Sequence, residues 1–208
     1  EGLVPGPAWK RARRNEPWTT GDTFNVGIGQ GALLSSPLQL AVMTARIATG
    51  RRVIPTLSPV SGASPEFESM GWTAEHLSEV NRAMSGVVNE PGGSAYWPLQ
   101  TRGIDLEGIQ MAGKTGTSQV YSISAEERAA GLRDQEDLPW RLRNHGLFVC
   151  YAPVAAPRYA VTVVLEHGIG GTRAAVPAQA ILRDLVRRDP SNTRPDMYAS
   201  AARPVTEG

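Results

Sequence analysis

Cysteine, lysine and long apolar runs are scarce in this 208-residue sequence, and each scarcity excludes something. Cys150 is the single cysteine, so no internal disulfide can form and a small buried apolar role is the simplest expectation. Together with His145 and His167 it matches no zinc-binding spacing, so we predict no metal site and no cofactor. No apolar run reaches the roughly 18 residues of a membrane-spanning helix, so none is predicted.

An excess of either sign of charge is also lacking, since the formal net charge is +1. A chain so close to neutral has no electrostatic case for nucleic acid, despite the basic cluster of Lys10, Arg11, Arg13 and Arg14. The sequence opens at EGLVPGPAWK, without an initiator methionine or a signal segment. We therefore expect a piece of a larger protein, with any signal or anchor upstream.

Lysine occurs only at Lys10 and Lys114, and the other nineteen basic residues are arginines. Lys114 stands in AGKTGTSQ, residues 112–119, between glycines and hydroxyl side chains. An ammonium is a compact charge with three donors, which a planar guanidinium does not imitate. The stretch is therefore a candidate functional site, although an edge strand with a lysine that discourages aggregation would look the same.

Helix signals occur at several places along the chain. Residues 1–24 are rich in proline and glycine and are predicted to be loop. A capping box at Ser36 predicts a helix that ends at Gly50, and Thr73 is predicted to cap a second helix. An amphipathic helix is predicted to begin after Pro177.

Strand signals lie in the second half of the chain. Residues 109–120 are predicted to be a strand, and HGLFVCYAP and RYAVTVVLEHG an antiparallel hairpin. Between them, residues 121–144 are polar and are predicted to be an insertion, while residues 191–208 are predicted to be a mobile tail. This order favours an α+β fold, an antiparallel sheet flanked by helices, over a doubly wound parallel sheet.

Two stretches match phosphate-binding motifs. GIGQGA at residues 27–32 fits the loose dinucleotide fingerprint, but the helix is predicted to start later, and residues 32–65 contain no acidic residue. We reject that interpretation. GIQMAGKT at residues 108–115 matches the phosphate loop, which must lead directly into a helix. The following TGTSQV favours a strand, so a phosphate-loop NTPase remains a lower alternative.

A strand through Lys114 has chemical consequences. Side chains alternate between faces, so Thr115, Thr117 and Gln119 share one face, and two hydroxyls one period apart can donate to one carboxylate. Gly116 lacks a side chain, so another backbone can approach and pair there as an added strand, while Lys114 adds positive charge. A backbone N–H of the strand can serve a developing oxyanion. The predicted ligand is an extended, peptide-like molecule ending in a carboxylate.

KTGT followed by SQV resembles the third active-site motif of penicillin-binding proteins. GDTFNVGIGQGALLSSPLQLAVMTARIATG, VVNEPGGSA and RLRNHGLFVCYAPVAAPRYAVTVVLEHG also resemble class B transpeptidase sequence, in the family's order. The resemblance covers roughly residues 9–190 and is greatest to penicillin-binding protein 2, the elongation enzyme, with the division-type penicillin-binding protein 3 close behind. It implies that residues 1–190 are the C-terminal portion of a transpeptidase domain, an incomplete β-lactamase/transpeptidase-like fold.

The resemblance implies a peptidoglycan D,D-transpeptidase. In that family a serine attacks the penultimate carbonyl of a D-Ala-D-Ala stem peptide, and an amine of a neighbouring stem resolves the acyl-enzyme. β-Lactam antibiotics trap the same serine. Carried over to this sequence, Lys114 and Thr117 are catalytic, through charge and through the Thr117 amide as an oxyanion donor. Thr115, Gly116 and Thr117 bind the substrate and its carboxylate.

The same resemblance implies a location and partners. The protein is expected in the bacterial periplasm, anchored to the inner membrane by an upstream segment. Besides the stem peptide and β-lactams, its expected partners are a membrane glycan polymerase and elongation-complex proteins. No cofactor and no nucleic acid are implied.

Two family motifs are missing. Neither the nucleophile motif Ser-x-x-Lys nor the second motif Ser-x-Asn occurs in these residues, and both would normally precede GIGQG. We therefore expect the nucleophile on another part of the protein, so that this chain alone neither acylates nor cross-links. A serine β-lactamase or β-lactam sensor shares the K-T-G strand, but the insertion at 121–144 is not expected there. A catalytically empty, transpeptidase-like scaffold also remains open.

Overall fold

The structure is a computed structural model in which the chain divides into two compact units, Glu1–Leu40 and Ala41–Gly208. It describes residues 2–58, 66–103, 106, 108–120, 124–129, 131 and 133–189. The predicted tail at 191–208 lies outside the described residues. No helix within those ranges is both long and apolar enough to cross a membrane.

Two helices lie in the part of the first unit that was predicted to be loop. Helix α1 spans Pro7–Arg14 and helix α2 spans Thr20–Gly27, so the loop prediction for residues 1–24 is wrong. Pro at the first position suits a helix start, because that N–H has no partner within the helix. Asn15 ends α1 in the left-handed conformation, with φ of 55°. The proline and the asparagine that mark the two ends of α1 can be recognised in the sequence. However, α1 and α2 have only eight residues each, which is short for a helix prediction.

A cluster of hydrogen bonds around Asp22 joins α1 to α2. Lys10 Nζ donates to Asp22 Oδ2 at 2.7 Å, and the Thr19 N–H and hydroxyl donate to the same oxygen, each at 2.7 Å. The hydrogen bond from Lys10, followed by those from Thr19, lowers the pKa of Asp22 from its ordinary 3.8 to about 2. One of the two lysines of the chain therefore has a structural role.

The Asp22 cluster predicts a specific pH dependence of stability. Asp22→Asn should lower the free energy of unfolding at neutral pH, because charge-assisted hydrogen bonds are lost. The depressed pKa means that the wild-type contribution is complete above pH 3.8 and is lost as the pH falls towards 2. In denaturant titrations of the full-length protein, the difference between wild type and variant should therefore shrink across that range.

The matched control is Glu79→Gln, which removes an exposed carboxylate that pairs with Arg82 three residues further along the same helix. It should change stability little at any pH, since exposed pairs contribute little. A deficit of Asp22→Asn that is as large at pH 2 as at pH 7 would show that the carboxylate charge is not what matters.

The second unit contains an antiparallel sheet of three strands among the described residues. Its strands are β1, Ala112–Ser118, β2, His145–Ala152, and β3, Tyr159–Leu165, in the order β1-β2-β3. The register places Thr115 opposite Phe148 and Phe148 opposite Val163. The predicted strand, the predicted hairpin and the α+β class are confirmed, and β1 lies at an edge of this sheet.

Helices precede, interrupt and follow the strands along the chain. Helix α3 begins at the predicted capping box, where the Ser36 N–H donates to Gln39 Oε1 at 2.9 Å and the Gln39 N–H donates to Ser36 Oγ at 3.2 Å. Thr73 caps α4 as predicted. Helix α5 was not predicted, and α6 and a short 3₁₀ helix lie within the predicted insertion. The bounds are α3 Pro37–Thr49, α4 Ala74–Asn89, α5 Tyr96–Arg102, α6 Ala125–Ala129, α7 Gly171–Arg188, and 3₁₀ Trp140–Leu142.

The last helix, α7, begins at Gly171, seven residues earlier than the predicted start after Pro177, so that Pro177 lies inside it. An interior proline removes one helical hydrogen bond, which normally costs a few kcal/mol. Burial offsets this cost, because α7 lies on the sheet with small side chains facing it. Its fully buried residues are Ala174, Ala175, Ala178 and Leu182. They belong to one core with the sheet residues Phe148, Cys150, Ala152 and Val161.

Tyr151 connects the sheet to α4. Its side chain is 1% exposed, and its hydroxyl donates to Asn81 Oδ1 at 2.7 Å. Asn81 Nδ2 in turn donates to the carbonyl of Ile47 at 3.1 Å. Burial raises the pKa of Tyr151, so the phenol stays protonated and keeps its donor.

Removing this hydroxyl should be measurable. Tyr151→Phe leaves Asn81 Oδ1 without its donor, so we expect the free energy of unfolding to fall by about 1 kcal/mol. Tyr96→Phe keeps the ring that packs edge to face on Trp97, and should stay within about 0.5 kcal/mol of wild type. Equal effects of the two variants in denaturant unfolding would contradict a specific role for the Tyr151 hydrogen bond.

Candidate active site

Two backbone carbonyls, one just before β1 and one within it, accept hydrogen bonds from side chains. The carbonyl of Met111 accepts from Asn89 Nδ2 at 3.0 Å, and the carbonyl of Thr115 accepts from Lys114 Nζ at 2.7 Å. Backbone groups of an antiparallel strand point alternately towards and away from the neighbouring strand. From this period we infer that Thr117, the next odd-numbered residue, directs its N–H and C=O to the same edge.

The threonine hydroxyls lie on one face of β1, as the sequence predicts. Thr115 Oγ1 lies 2.9 Å from Ser94 Oγ, and either hydroxyl can be the donor. Thr115 is half-buried, whereas Thr117 is exposed. Gln119 was predicted to share this face, but the strand ends at Ser118, so Gln119 lies beyond the end of β1. If Ser94 donates, the Thr115 hydroxyl keeps its own proton for a ligand.

Lys114 brings positive charge to the same edge. Its side chain is exposed and starts from the opposite face, yet Nζ folds back to the Thr115 carbonyl. The stem of the lysine therefore reaches around the strand. The ammonium lies beside the backbone of Thr115, on the strand for which a carboxylate ligand was predicted.

Gly116 was predicted to let another backbone pair there as an added strand, and the backbone that lies close to it in the structure is a different one. A Cβ on Gly171 would lie 2.5 Å from Gly116 N and 2.6 Å from Gly116 O. A Cβ on Gly116 itself would meet Leu147 Cβ at 3.5 Å, an ordinary contact. The close approach therefore comes from the start of α7. Pairing with an added strand at the outer edge remains a prediction.

Ser94 was missed as a member of this site. It lies 21 residues before Thr115, in the turn that joins α4 to α5, and no spacing rule connects the two positions. Its stretch contributed to the family resemblance, but no role was predicted for the serine. Only the packing of α4 along β1 brings this hydroxyl to the strand.

The geometry excludes the phosphate-loop alternative. A phosphate loop must pass into a helix just after its lysine, whereas Lys114 lies inside β1. No helix begins at the glycines of residues 27–32 either, because α2 ends at Gly27 and α3 begins at Pro37. Both nucleotide-binding motifs are therefore coincidental matches.

Cysteine and histidine side chains do not assemble into a metal site in the part of the chain that the structure describes. No three His, Cys, Asp or Glu side chains come together there in a group that could hold a metal ion. Cys150 is fully buried, and burial raises the pKa of its thiol to about 12. His145 and His167 do lie close together, with ring centroids 4.8 Å apart, and His145 Nδ1 accepts the N–H of His167 at 2.9 Å.

Residues 6–187 match the family model described as the penicillin binding protein transpeptidase domain. The match covers most of the chain, so the chain belongs to this family. The resemblance that KTGT and its flanking stretches indicated is confirmed.

Curated relatives agree with the family match. The chain is 37% identical over 191 residues to peptidoglycan D,D-transpeptidase MrdA of Acinetobacter baumannii, covering 87% of this chain and 27% of that protein. It is 30% identical over 208 residues to the protein of the same name from Salmonella typhimurium, covering 94% and 32%. The chain thus spans about a third or less of these relatives.

Solved structures share the fold. The penicillin-binding protein PBP2 of Helicobacter pylori, in a complex with MreC, has a TM-score of 0.65 at 29% identity, covering 90% of this chain and 31% of that one. PBP2 of Pseudomonas aeruginosa, in complex with WCK 5153, has a TM-score of 0.64 at 29% identity, covering 95% and 41%. The similarity to PBP2 predicted from the sequence is confirmed.

The hydrogen bond between Ser94 and Thr115 generates a prediction for the site. Ser94→Ala removes a neutral hydrogen bond of about 1 kcal/mol that orients the Thr115 hydroxyl, so covalent labelling by penicillin should slow roughly fivefold. The rate is measured with the full-length protein and a fluorescent penicillin. Ser94→Thr keeps the hydroxyl and serves as the matched control. Wild-type rates for Ser94→Ala would remove Ser94 from the site.

Proposed function

We propose that this chain is the C-terminal part of the transpeptidase domain of a peptidoglycan D,D-transpeptidase that cross-links stem peptides and is inhibited by β-lactams. The observation that carries the proposal is the outer edge of strand β1. There, the Lys114 ammonium lies at the Thr115 carbonyl, the Thr115 hydroxyl lies beside that of Ser94, and Thr117 follows on the same face of the strand. An extended peptide with a terminal carboxylate has the complementary shape and charge.

The residues of β1 take distinct roles in this proposal. Lys114 and the hydroxyls of Thr115 and Thr117 bind the terminal carboxylate of the D-Ala-D-Ala stem. Gly116 keeps the strand free of a side chain where the substrate backbone runs alongside. The Thr117 N–H donates to the oxygen of the attacked carbonyl as negative charge develops there.

The reaction needs a serine that these residues do not place. Its Oγ forms an ester with the penultimate carbonyl carbon, the C–N bond to the terminal D-alanine breaks, and the leaving amine takes the proton. An amine of a second stem then displaces the serine. We propose that this serine lies upstream in the same polypeptide, within the part of the relatives' length that the chain does not span.

The relatives support a proposal for partners and location. One related structure holds PBP2 together with MreC, which supports an elongation-complex partner for this protein as well. A membrane glycan polymerase is a second proposed partner. The proposed location is the periplasm, with an anchor to the inner membrane upstream in the full-length protein.

The proposal is tested by covalent labelling. The full-length protein should bind a fluorescent penicillin, whereas a polypeptide limited to these 208 residues should not. Lys114→Ala in the full-length protein removes a charged hydrogen-bond donor worth about 1.5–3 kcal/mol, so labelling should slow roughly ten- to hundredfold. Arg102→Ala removes a cation from the last turn of α5 and should label at the wild-type rate.

Other outcomes of this labelling separate the alternatives. Rapid release of hydrolysed penicillin by the full-length protein would favour a β-lactamase or sensor. A full-length protein that never labels would favour the catalytically empty scaffold. Labelling of the 208-residue polypeptide alone would show that its nucleophile lies within these residues.

A further inference from the structure

The start of α7 rests directly on the backbone of β1 and β2. A Cβ on Gly171 would lie 2.4 Å from the Leu147 carbonyl oxygen, in addition to its short distances to Gly116 N and O. Gly116 and Leu147 are opposite each other in the register, so Gly171 covers this pair. A Cβ on Gly146 would lie 2.4 Å from the Gly170 carbonyl oxygen. Such distances leave no space for a side chain at either contact.

The segment before α7, residues 166–170, is a strained turn that we call the α7 lead-in. His167 and Ile169 have positive φ values of 55° and 75°, which residues other than glycine seldom adopt and which are most unusual for the β-branched Ile169. Hydrogen bonds to the start of β2 hold this conformation. The His167 N–H donates to His145 Nδ1 at 2.9 Å, and the Ile169 N–H donates to the Asn144 carbonyl at 2.8 Å.

The His145 side chain is well placed to hold the lead-in. As the acceptor of an N–H, Nδ1 carries no proton, so the neutral ring has its proton on Nε2. His145 lies opposite Ser118 in the register, next to the pair of Thr117 and Gly146. The His167 ring packs against that of His145 and, with centroids 4.3 Å apart, against that of Trp140.

We infer that His145 is a positioning residue for the oxyanion donor of β1. This inference rests on the proposed function. The His145 ring holds the lead-in, the lead-in sets Gly171 on the backbone of Gly116, and this support fixes the direction of the next N–H, that of Thr117. The lead-in also lies near the Thr117 side chain, since a Cβ on Gly170 would be 4.0 Å from Thr117 Oγ1.

Three variants of the full-length protein test the inference. His145→Leu removes the acceptor at similar size, whereas His145→Asn places an amide oxygen near the position of Nδ1 and keeps an acceptor. His76→Leu changes an exposed histidine of α4 and is the control. The measurements are the maximal acylation rate and the apparent dissociation constant for penicillin, obtained from the dependence of labelling on concentration.

We expect His145→Leu to lower the maximal acylation rate about tenfold, less than the roughly hundredfold that a 1 Å misplacement can cost. The dissociation constant should stay within about twofold, because the groups that bind the carboxylate are retained. His145→Asn should recover most of the rate, and His76→Leu should equal wild type. Thermal unfolding of each variant shows whether a lost rate merely follows lost stability.

Backbone hydrogen exchange provides a readout that does not depend on activity. In His145→Leu, exchange should accelerate in residues 166–171 and in β1, and in His145→Asn it should not. If the full-length wild-type protein fails to label, the proposed function is contradicted. The exchange pattern of the variants still shows whether His145 holds the α7 lead-in. The inference is overturned if His145→Leu acylates and exchanges like wild type, or if the leucine and asparagine variants lose rate alike.

Discussion

The pairing of β1 with β2 decides what the candidate active site can do. Phe148 is fully buried on the face that packs against α7, and Thr115 lies opposite it. Because side chains alternate with a period of two, a slip of one residue would turn both threonines to the other face. It would also exchange the backbone groups that reach the open edge. The packing of Phe148 in the core therefore determines which side chains and backbone groups of β1 lie at its outer edge.

Helix α7 packs closely on β1 and β2, and this packing complements the outer edge of β1. Alanines at 174, 175 and 178 and the glycine at 171 let the backbone of α7 come very near the sheet. Small residues allow this approach because they leave no side chain between the two layers. A strand held in this way keeps its donors in place before a ligand arrives, and donors that need no reorganisation stabilise developing charge most effectively.

Local patterns in the sequence predicted the elements that local forces determine. β1, the hairpin and the starts of α3 and α4 follow from alternation and capping. Helices α1 and α2 were missed although Pro7 and a capping box of Thr19 and Asp22 mark their starts, because each helix has only eight residues. The contact between Lys10 and Asp22 that joins them follows no spacing rule. The start of α7 was misplaced because burial outweighed the usual position of a proline. Ser94 reaches Thr115, and His145 reaches the turn before α7, through tertiary packing, so no local pattern signalled either contact.

A crystal structure of the full-length protein acylated by a penicillin tests the central claim most directly. We predict that the antibiotic lies along the outer edge of β1, with its carboxylate at the hydroxyls of Thr115 and Thr117. The ester carbonyl oxygen should then face the Thr117 N–H. An adduct bound elsewhere, or one whose carbonyl oxygen is held without any group of β1, would contradict this claim.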